Sequence, residues 1–249
     1  MKKFMQLTPL SPSAIVVNHF YIGVLITVFY VMAGPIVVSQ GFPGIAPLLL
    51  AELFILTPVG MAHLLFKAKS LTGRYDLSSV IVYTNKISAR SMILWSLGGI
   101  LLVILVYVPL YPVGMFFRTS VFAWLPEWYF NPGFGSTDAA LIAKIFLAGI
   151  FVDGLVGPII EELFFRGYLL ARMEHLKGWA PVLNGALFGI YHFWQPHNLL
   201  AIIGVGIVLS YVVWKTKNVY LGIIIHCTIN LLGAIGGYMA VSEGLMLSR

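Results

Sequence analysis

The chain has 249 residues, of which 59% are hydrophobic and only 10% carry a charge. Soluble domains are about 45–50% apolar and about 25% charged, so this chain has too few charges to coat a soluble surface of its size. The composition excludes a soluble enzyme, a disordered chain and a coiled coil, and it predicts a polytopic membrane protein. The formal net charge of +6 is interpreted as loop charge that orients the helices, so no nucleic-acid partner is expected.

Apolar runs long enough to cross a bilayer, which takes about 20 helical residues, predict seven spans. They are Ala14–Val38, Ile45–Phe66, Ser91–Phe117, Ala139–Leu170, Trp179–Gln195, Asn198–Trp214 and Val219–Val241. The fifth and sixth are short and meet at Pro196, and an eighth helix is allowed if a long loop contains one. We therefore expect one all-α transmembrane domain over residues 1–249, embedded in the lipid bilayer.

The basic residues predict the orientation of this bundle. With a cytoplasmic N-terminus, twelve of the fifteen Lys and Arg residues fall in inside segments. Arg118 and Arg249 fall outside, and Lys144 falls within the fourth span. Because cytoplasmic loops carry an excess of Lys and Arg, the distribution favours an N-terminus inside the cell.

The fourth span contains ionisable residues, which are costly in a membrane and mark either function or a paired contact. Its sequence Glu161-Glu162-Leu-Phe-Phe-Arg166 places Glu162 and Arg166 on one helix face in the favoured acid-to-base order. We predict that these two form an ion pair and that Glu161 is available for chemistry. Solvated charges at a cytoplasmic helix end are the alternative interpretation.

Two later spans carry further polar positions. His192 lies one turn after Phe188, and His226 and Asn230 lie one turn apart on one face of the seventh span. Each alone could be a hydrogen-bonded core residue. Their distances from the predicted helix ends place them with Glu161 in the inner half of the membrane, around a cavity that opens to the cytosol.

These residue types suit the hydrolysis of an acyl bond. A carboxylate and an imidazole can activate a water molecule, and a second imidazole with an amide can stabilise an oxyanion. Glu161, His192 and His226 also match the two-histidine, one-carboxylate set that holds catalytic zinc. The sequence leaves open whether zinc binds the water or whether the carboxylate activates it without a metal.

Three motifs in order along the chain resemble those of the CPBP family of CAAX proteases and bacteriocin-processing enzymes, which includes the type II CAAX prenyl endopeptidases. They are Glu161-Glu162-x-x-x-Arg166, Phe188-x-x-x-His192 and His226-x-x-x-Asn230. The region that carries them, residues 139–240, would be the catalytic core. The resemblance implies an intramembrane endopeptidase with a multi-helix fold and a cavity facing the cytosol.

Carried over residue by residue, the resemblance implies that Glu161 and His192 activate water. His226 and Asn230 would stabilise the oxyanion, and Glu162 and Arg166 would support the site. Family names often include "metalloprotease", so both a zinc cofactor and a metal-free mechanism are implied. The expected substrate is a peptide or membrane protein, with or without a lipid group, and the short loops favour a prokaryotic cell membrane.

Two other classes of function remain open. A non-catalytic scaffold or immunity factor of the same family would keep the fold and tolerate the loss of Glu161. A transporter or channel would use Glu52, Asp153 and the histidines as a proton or substrate path, but the sequence has no internal repeat. Asp153 lies about 80° round the helix from Glu161, so it could pair with another group or line the same cavity.

Overall fold

The computed structural model describes residues 8–243. In chain order, its helices are α1 (Pro12–Ser39), α2 (Ala46–Thr72), α3 (Ala89–Val121), α4 (Ala139–Leu176), α5 (Trp179–Tyr191), α6 (Leu199–Thr216) and α7 (Val219–Ser242). Short 3₁₀ turns lie at Leu77–Ser79, Glu127–Tyr129 and Pro196–Asn198. Within the described range, six helical segments, all except α5, are long and apolar enough to cross a membrane. The chain is an all-α, multi-pass membrane protein.

The predicted fifth span, Trp179–Gln195, does not form a crossing helix. α5 ends at Tyr191 after 13 residues, or about 20 Å, which is shorter than the roughly 30 Å of hydrocarbon in a bilayer. Pro196 does not explain this end, because a proline disfavours the helical conformation only of the residue before it, here Gln195, and the helix ends earlier. The count of seven crossing helices is therefore not confirmed, and His192 lies at a helix end.

One end of the bundle gathers three loops that, together with the adjoining helix ends, carry most of the Lys and Arg residues of the described range. There the Leu10 N–H donates to the Arg172 carbonyl, and the Asn85 N–H donates to the Lys217 carbonyl. We call this the basic end, defined by the α2–α3, α4–α5 and α6–α7 loops. Lys2, Lys3 and Arg249, which the orientation prediction also used, lie outside the described residues.

The opposite end is formed by the α1–α2, α3–α4 and α5–α6 loops. The Gly44 N–H donates to the Phe134 carbonyl, which joins the first two of these loops. The Tyr129 hydroxyl donates to the Phe193 carbonyl and joins the second to the third. The bundle thus has two chemically distinct ends, whatever its orientation in the bilayer.

α4 contains a π-helical turn, Val152–Val156, directly before Gly157 and Pro158. The Gly157 N–H bonds to the Val152 carbonyl across five residues. The next donor in this register would belong to Pro158, which has no N–H. The proline therefore leaves the Asp153 carbonyl free to accept a hydrogen bond from outside the helix.

α5 and α6 pack backbone against backbone. A Cβ atom added at Gly185 would lie 2.3 Å from the Ile207 nitrogen, and one at Gly189 would lie 2.6 Å from the Ile203 nitrogen. Side chains larger than hydrogen are therefore excluded at both glycines. This close contact fixes the face of α5 that carries His192 towards the bundle interior.

Candidate active site

The four predicted catalytic residues line one cavity of about 450 Å³. They are Glu161, His192, His226 and Asn230. Glu161 and His226 are each 6% exposed, and the other two are half-buried. The three motifs therefore converge in space as the sequence indicated, while the catalytic role of each residue stays a prediction.

Glu161 lies between two imidazole rings. Its Oε1 atom is 3.8 Å from His192 Nε2, and its Oε2 atom is 3.9 Å from His226 Nε2. These separations exceed a direct hydrogen bond and match the spacing at which a water molecule can bridge two polar groups. His192 Nδ1 donates to the Phe188 carbonyl at 2.8 Å, so the Nε2 lone pair faces Glu161.

Glu162 is the centre of a buried ion cluster. Its Oε1 atom accepts from Arg166 Nη1 at 2.7 Å and from His226 Nδ1 at 3.0 Å. The predicted ion pair is present, and both of its side chains are fully buried. The second contact was not predicted, and it directs His226 Nε2 towards Glu161. A Cβ atom at Gly222 would lie 2.4 Å from Glu162 Oε2, so the cluster requires glycine there.

Arg166 connects this cluster to α5 and α6. Its Nε atom donates to the Ser210 hydroxyl and its Nη2 atom to the Gly206 carbonyl, each at 3.3 Å. The guanidinium carbon lies 3.9 Å from the centroid of the Phe188 ring, a favourable cation–π distance. Arg166 therefore fixes the positions of three helices around the site.

Asn230 is held by the carbonyl that the π-helical turn frees. Its Nδ2 atom donates to the Asp153 carbonyl at 3.0 Å. A primary amide carries two N–H groups, so one remains available to the cavity. Pro158 thus acts indirectly on the site, because it leaves that carbonyl without a helical donor.

Tyr191 was missed by sequence reasoning. Its side chain is fully buried, and it lies near enough to Glu161 to interact with it electrostatically, although the hydroxyl makes no hydrogen bond among residues 8–243. Nothing in the apolar run of α5 distinguishes this tyrosine from a packing residue. Its place beside the carboxylate follows only from the way α5 packs against α4.

Among residues 8–243, no group of three or more His, Cys, Asp or Glu side chains is placed to hold a metal. The expected ligands Glu161, His192 and His226 nevertheless face one another. Each histidine hydrogen-bonds through Nδ1, which leaves Nε2, the atom beside Glu161, as the one that would bind a metal. A metal role is therefore not shown, and it stays a prediction.

The cavity extends from the motif residues towards the end opposite the basic end. Its lining includes Trp194, Gln195 and Asn198 near the α5–α6 loop. A second cavity of about 250 Å³ shares these three residues and reaches Trp128 and Pro132 in the α3–α4 loop. Among residues 8–243, no loop residue of the basic end lines either cavity. Both cavities therefore lie nearer the end opposite the basic end, and the cytosolic opening stays a prediction.

Comparison with known families gives an independent result. Residues 142–232 match the family described as type II CAAX prenyl endopeptidase Rce1-like. All three motifs lie within this segment, and the CPBP resemblance is confirmed. The similarity covers the motif-bearing segment and not the whole chain.

Two curated bacterial proteins are similar to parts of this chain. "Putative membrane peptidase YdiL" of Bacillus subtilis (strain 168) is 24% identical over 151 residues, which are 59% of this chain and 57% of that protein. "UPF0177 protein YxdF" of Lactococcus lactis subsp. lactis (strain IL1403) is 28% identical over 83 residues, 33% of this chain and 46% of that protein. The chain thus spans about half the length of these relatives. No solved structure matches.

Proposed function

We propose that this chain is an intramembrane endopeptidase that hydrolyses a peptide bond with a water molecule activated by Glu161 and His192. The observation that carries the proposal is the position of the Glu161 carboxylate between two imidazole Nε2 atoms, at 3.8 and 3.9 Å, inside a cavity. A water in this gap can donate to Glu161 and to His192 Nε2 while its oxygen attacks a carbonyl carbon.

Two further groups suit the developing oxyanion. Asn230 has an uncommitted N–H, because its amide donates once to Asp153. His226 is oriented through Nδ1 by Glu162, so Nε2 is the ring atom that faces the cavity, and the doubly protonated ring would donate from it. Donors of this kind act where charge develops in the transition state.

The remaining motif residues orient the reacting groups. Glu162 and Arg166 contact each other and the helices around the site, and neither side chain is exposed. They would hold His226 and Glu161 in register without touching the substrate. The family match and the relative named as a membrane peptidase support the peptidase class.

The test replaces Glu161 with Gln, which keeps the size of the side chain and removes the proton acceptor. We expect substrate cleavage to fall by about 10²–10⁴, while the folded protein remains stable. The termini of membrane proteins would be identified by mass spectrometry in cells that carry the wild type, Glu161→Gln or the exposed control Glu127→Gln. Termini that depend on the wild type and the control but not on Glu161→Gln support the proposal. Near wild-type cleavage by Glu161→Gln would contradict it and favour a scaffold.

A further inference from the structure

Two carboxyl groups that the proposed chemistry does not use line the same cavity. Glu52 of α2 and Asp153 of α4 both line it, near enough for their carboxyl groups to interact electrostatically. The α4 residue that faces Glu52 is small: a Cβ atom at Gly157 would lie 3.3 Å from Glu52 Oε2. The contact between α2 and α4 therefore brings two acids to the same part of the cavity.

Both helices contain the same local backbone structure, a π-helical turn followed by a proline. Glu52 begins a π-helical turn, Glu52–Leu56, that ends just before Thr57 and Pro58. Asp153 lies in the corresponding turn of α4, which also ends just before a proline. A π-helical turn displaces the side chains that follow it relative to a regular helix, and such turns are frequent at functional sites.

Glu52 is not satisfied by the protein. It is 7% exposed, and its Oε2 atom has no hydrogen-bond partner among residues 8–243. A buried acceptor without a donor is unfavourable, and two carboxyl groups in contact are compatible when a proton or a cation lies between them. The geometry therefore calls for a positively charged or strongly donating group at this place.

The cavity has no Lys or Arg side chain that could neutralise these acids. Among the described residues, neither Lys nor Arg lines it, and its acidic lining consists of Glu52, Asp153 and Glu161. Arg166 is fully buried behind Glu162 and does not reach the cavity wall. With the histidines neutral, the charge in the cavity is thus negative wherever the carboxyl groups are ionised.

We propose that Glu52 and Asp153 form an acidic subsite that binds a positively charged group of the substrate, a Lys or Arg side chain or a free amino terminus, beside the scissile bond. This inference rests on the proposed peptidase function. A substrate ending in a free carboxylate, as a C-terminal CAAX sequence does, would place like charge against this wall. The subsite therefore selects against that substrate class and for cationic peptides.

The test measures binding separately from cleavage. Four pools of apolar peptides are compared. In three of them both termini are blocked, and one Lys, one Gln or one Glu is placed at each position in turn. The fourth pool carries no charge except a free C-terminal carboxylate. Binding is measured to detergent-purified Glu161→Gln protein, which does not turn the peptides over. We expect the Lys pool to bind about tenfold or more tightly than the other three, as expected for one charge-assisted hydrogen bond.

Adding Glu52→Gln or Asp153→Asn to the Glu161→Gln protein should abolish the preference for Lys. Adding Glu127→Gln, at an exposed carboxylate that lines neither cavity, should leave it intact. Either subsite variant suffices if the other fails to fold, as judged by its melting curve. A preference that survives both changes, or tighter binding of the carboxylate pool, would overturn the proposal.

Cleavage of the same pools by the wild type distinguishes this inference from the peptidase function. Binding that prefers Lys and depends on Glu52, without cleavage of any pool, would refute the peptidase and leave a cation-selective site. Cleavage with no preference among the pools would refute the subsite and leave the peptidase.

Discussion

Replacing Arg166 with Ala should destabilise the protein strongly. The change leaves the fully buried Glu162 carboxylate without its 2.7 Å partner and removes two hydrogen bonds, to Ser210 and Gly206. Removing one partner of a buried pair costs about 3–5 kcal/mol, because the other charge stays buried. His226 still donates to Glu162, so we expect the lower end, about 3 kcal/mol. At about 2–4 °C per kcal/mol for a chain of this size, the melting temperature should fall by roughly 6–12 °C.

The assay is thermal unfolding in detergent, with two comparisons that separate charge from lost contacts. Arg118→Ala removes an ion pair with Glu127 whose side chains are 29% and 53% exposed, so its cost should stay below about 1 kcal/mol. The double change Arg166→Ala with Glu162→Gln should melt above Arg166→Ala alone, because no unpaired charge remains. If Arg166→Ala melts like Arg118→Ala, or the double change gives no recovery, the argument from burial fails.

Three further outcomes are expected. Gly222→Ala should lower both the melting temperature and the cleavage rate, because its Cβ would lie 2.4 Å from Glu162 Oε2. The control Gly236→Ala should lower neither, because a Cβ there meets no atom within 4 Å. Equal effects of the two changes would refute the argument from crowding at Gly222. Cleavage should survive rigorous chelation of metal ions. If chelation instead abolishes cleavage and added zinc restores it, zinc takes part in the reaction. The orientation is tested with single cysteines in a Cys227→Ala background and a thiol reagent that does not cross the membrane. Lys86→Cys should react only from the cytoplasmic side, and Thr137→Cys only from outside. The reverse result would show that the predicted orientation is wrong.

The spacing of residues along the sequence predicted those features of the site that lie within a single helix. The spacing of Glu162 and Arg166 determines that they share a face, and a membrane leaves such charges little alternative to each other. The convergence of Glu161, His192 and His226 was also predictable, since buried polar groups need partners. The composition alone determined the class of fold.

Other features depend on how helices meet, which no local pattern describes. The contact between His226 and Glu162 crosses from α7 to α4 and depends on a glycine that admits the carboxylate. The free Asp153 carbonyl depends on a π-helical turn, and the sequence carries its cause, Pro158, without showing which register the helix adopts. The sequence does not show that α5 ends at Tyr191, because apolar residues continue to Trp194.

The basic end and the cavity lie on opposite sides of the motif residues, and this limits how a substrate can arrive. With the basic end in the cytoplasm, as the Lys and Arg distribution predicts, Trp194 and Asn198, which line both cavities, lie towards the other face of the membrane. A peptide would then reach Glu161 from outside the cytoplasm. A cytosolic CAAX terminus would require the inverted orientation, and it would also meet the acidic wall of Glu52 and Asp153. Labelling that places Lys86 inside therefore argues, together with the charge of the cavity, for a cationic substrate presented on the outer side.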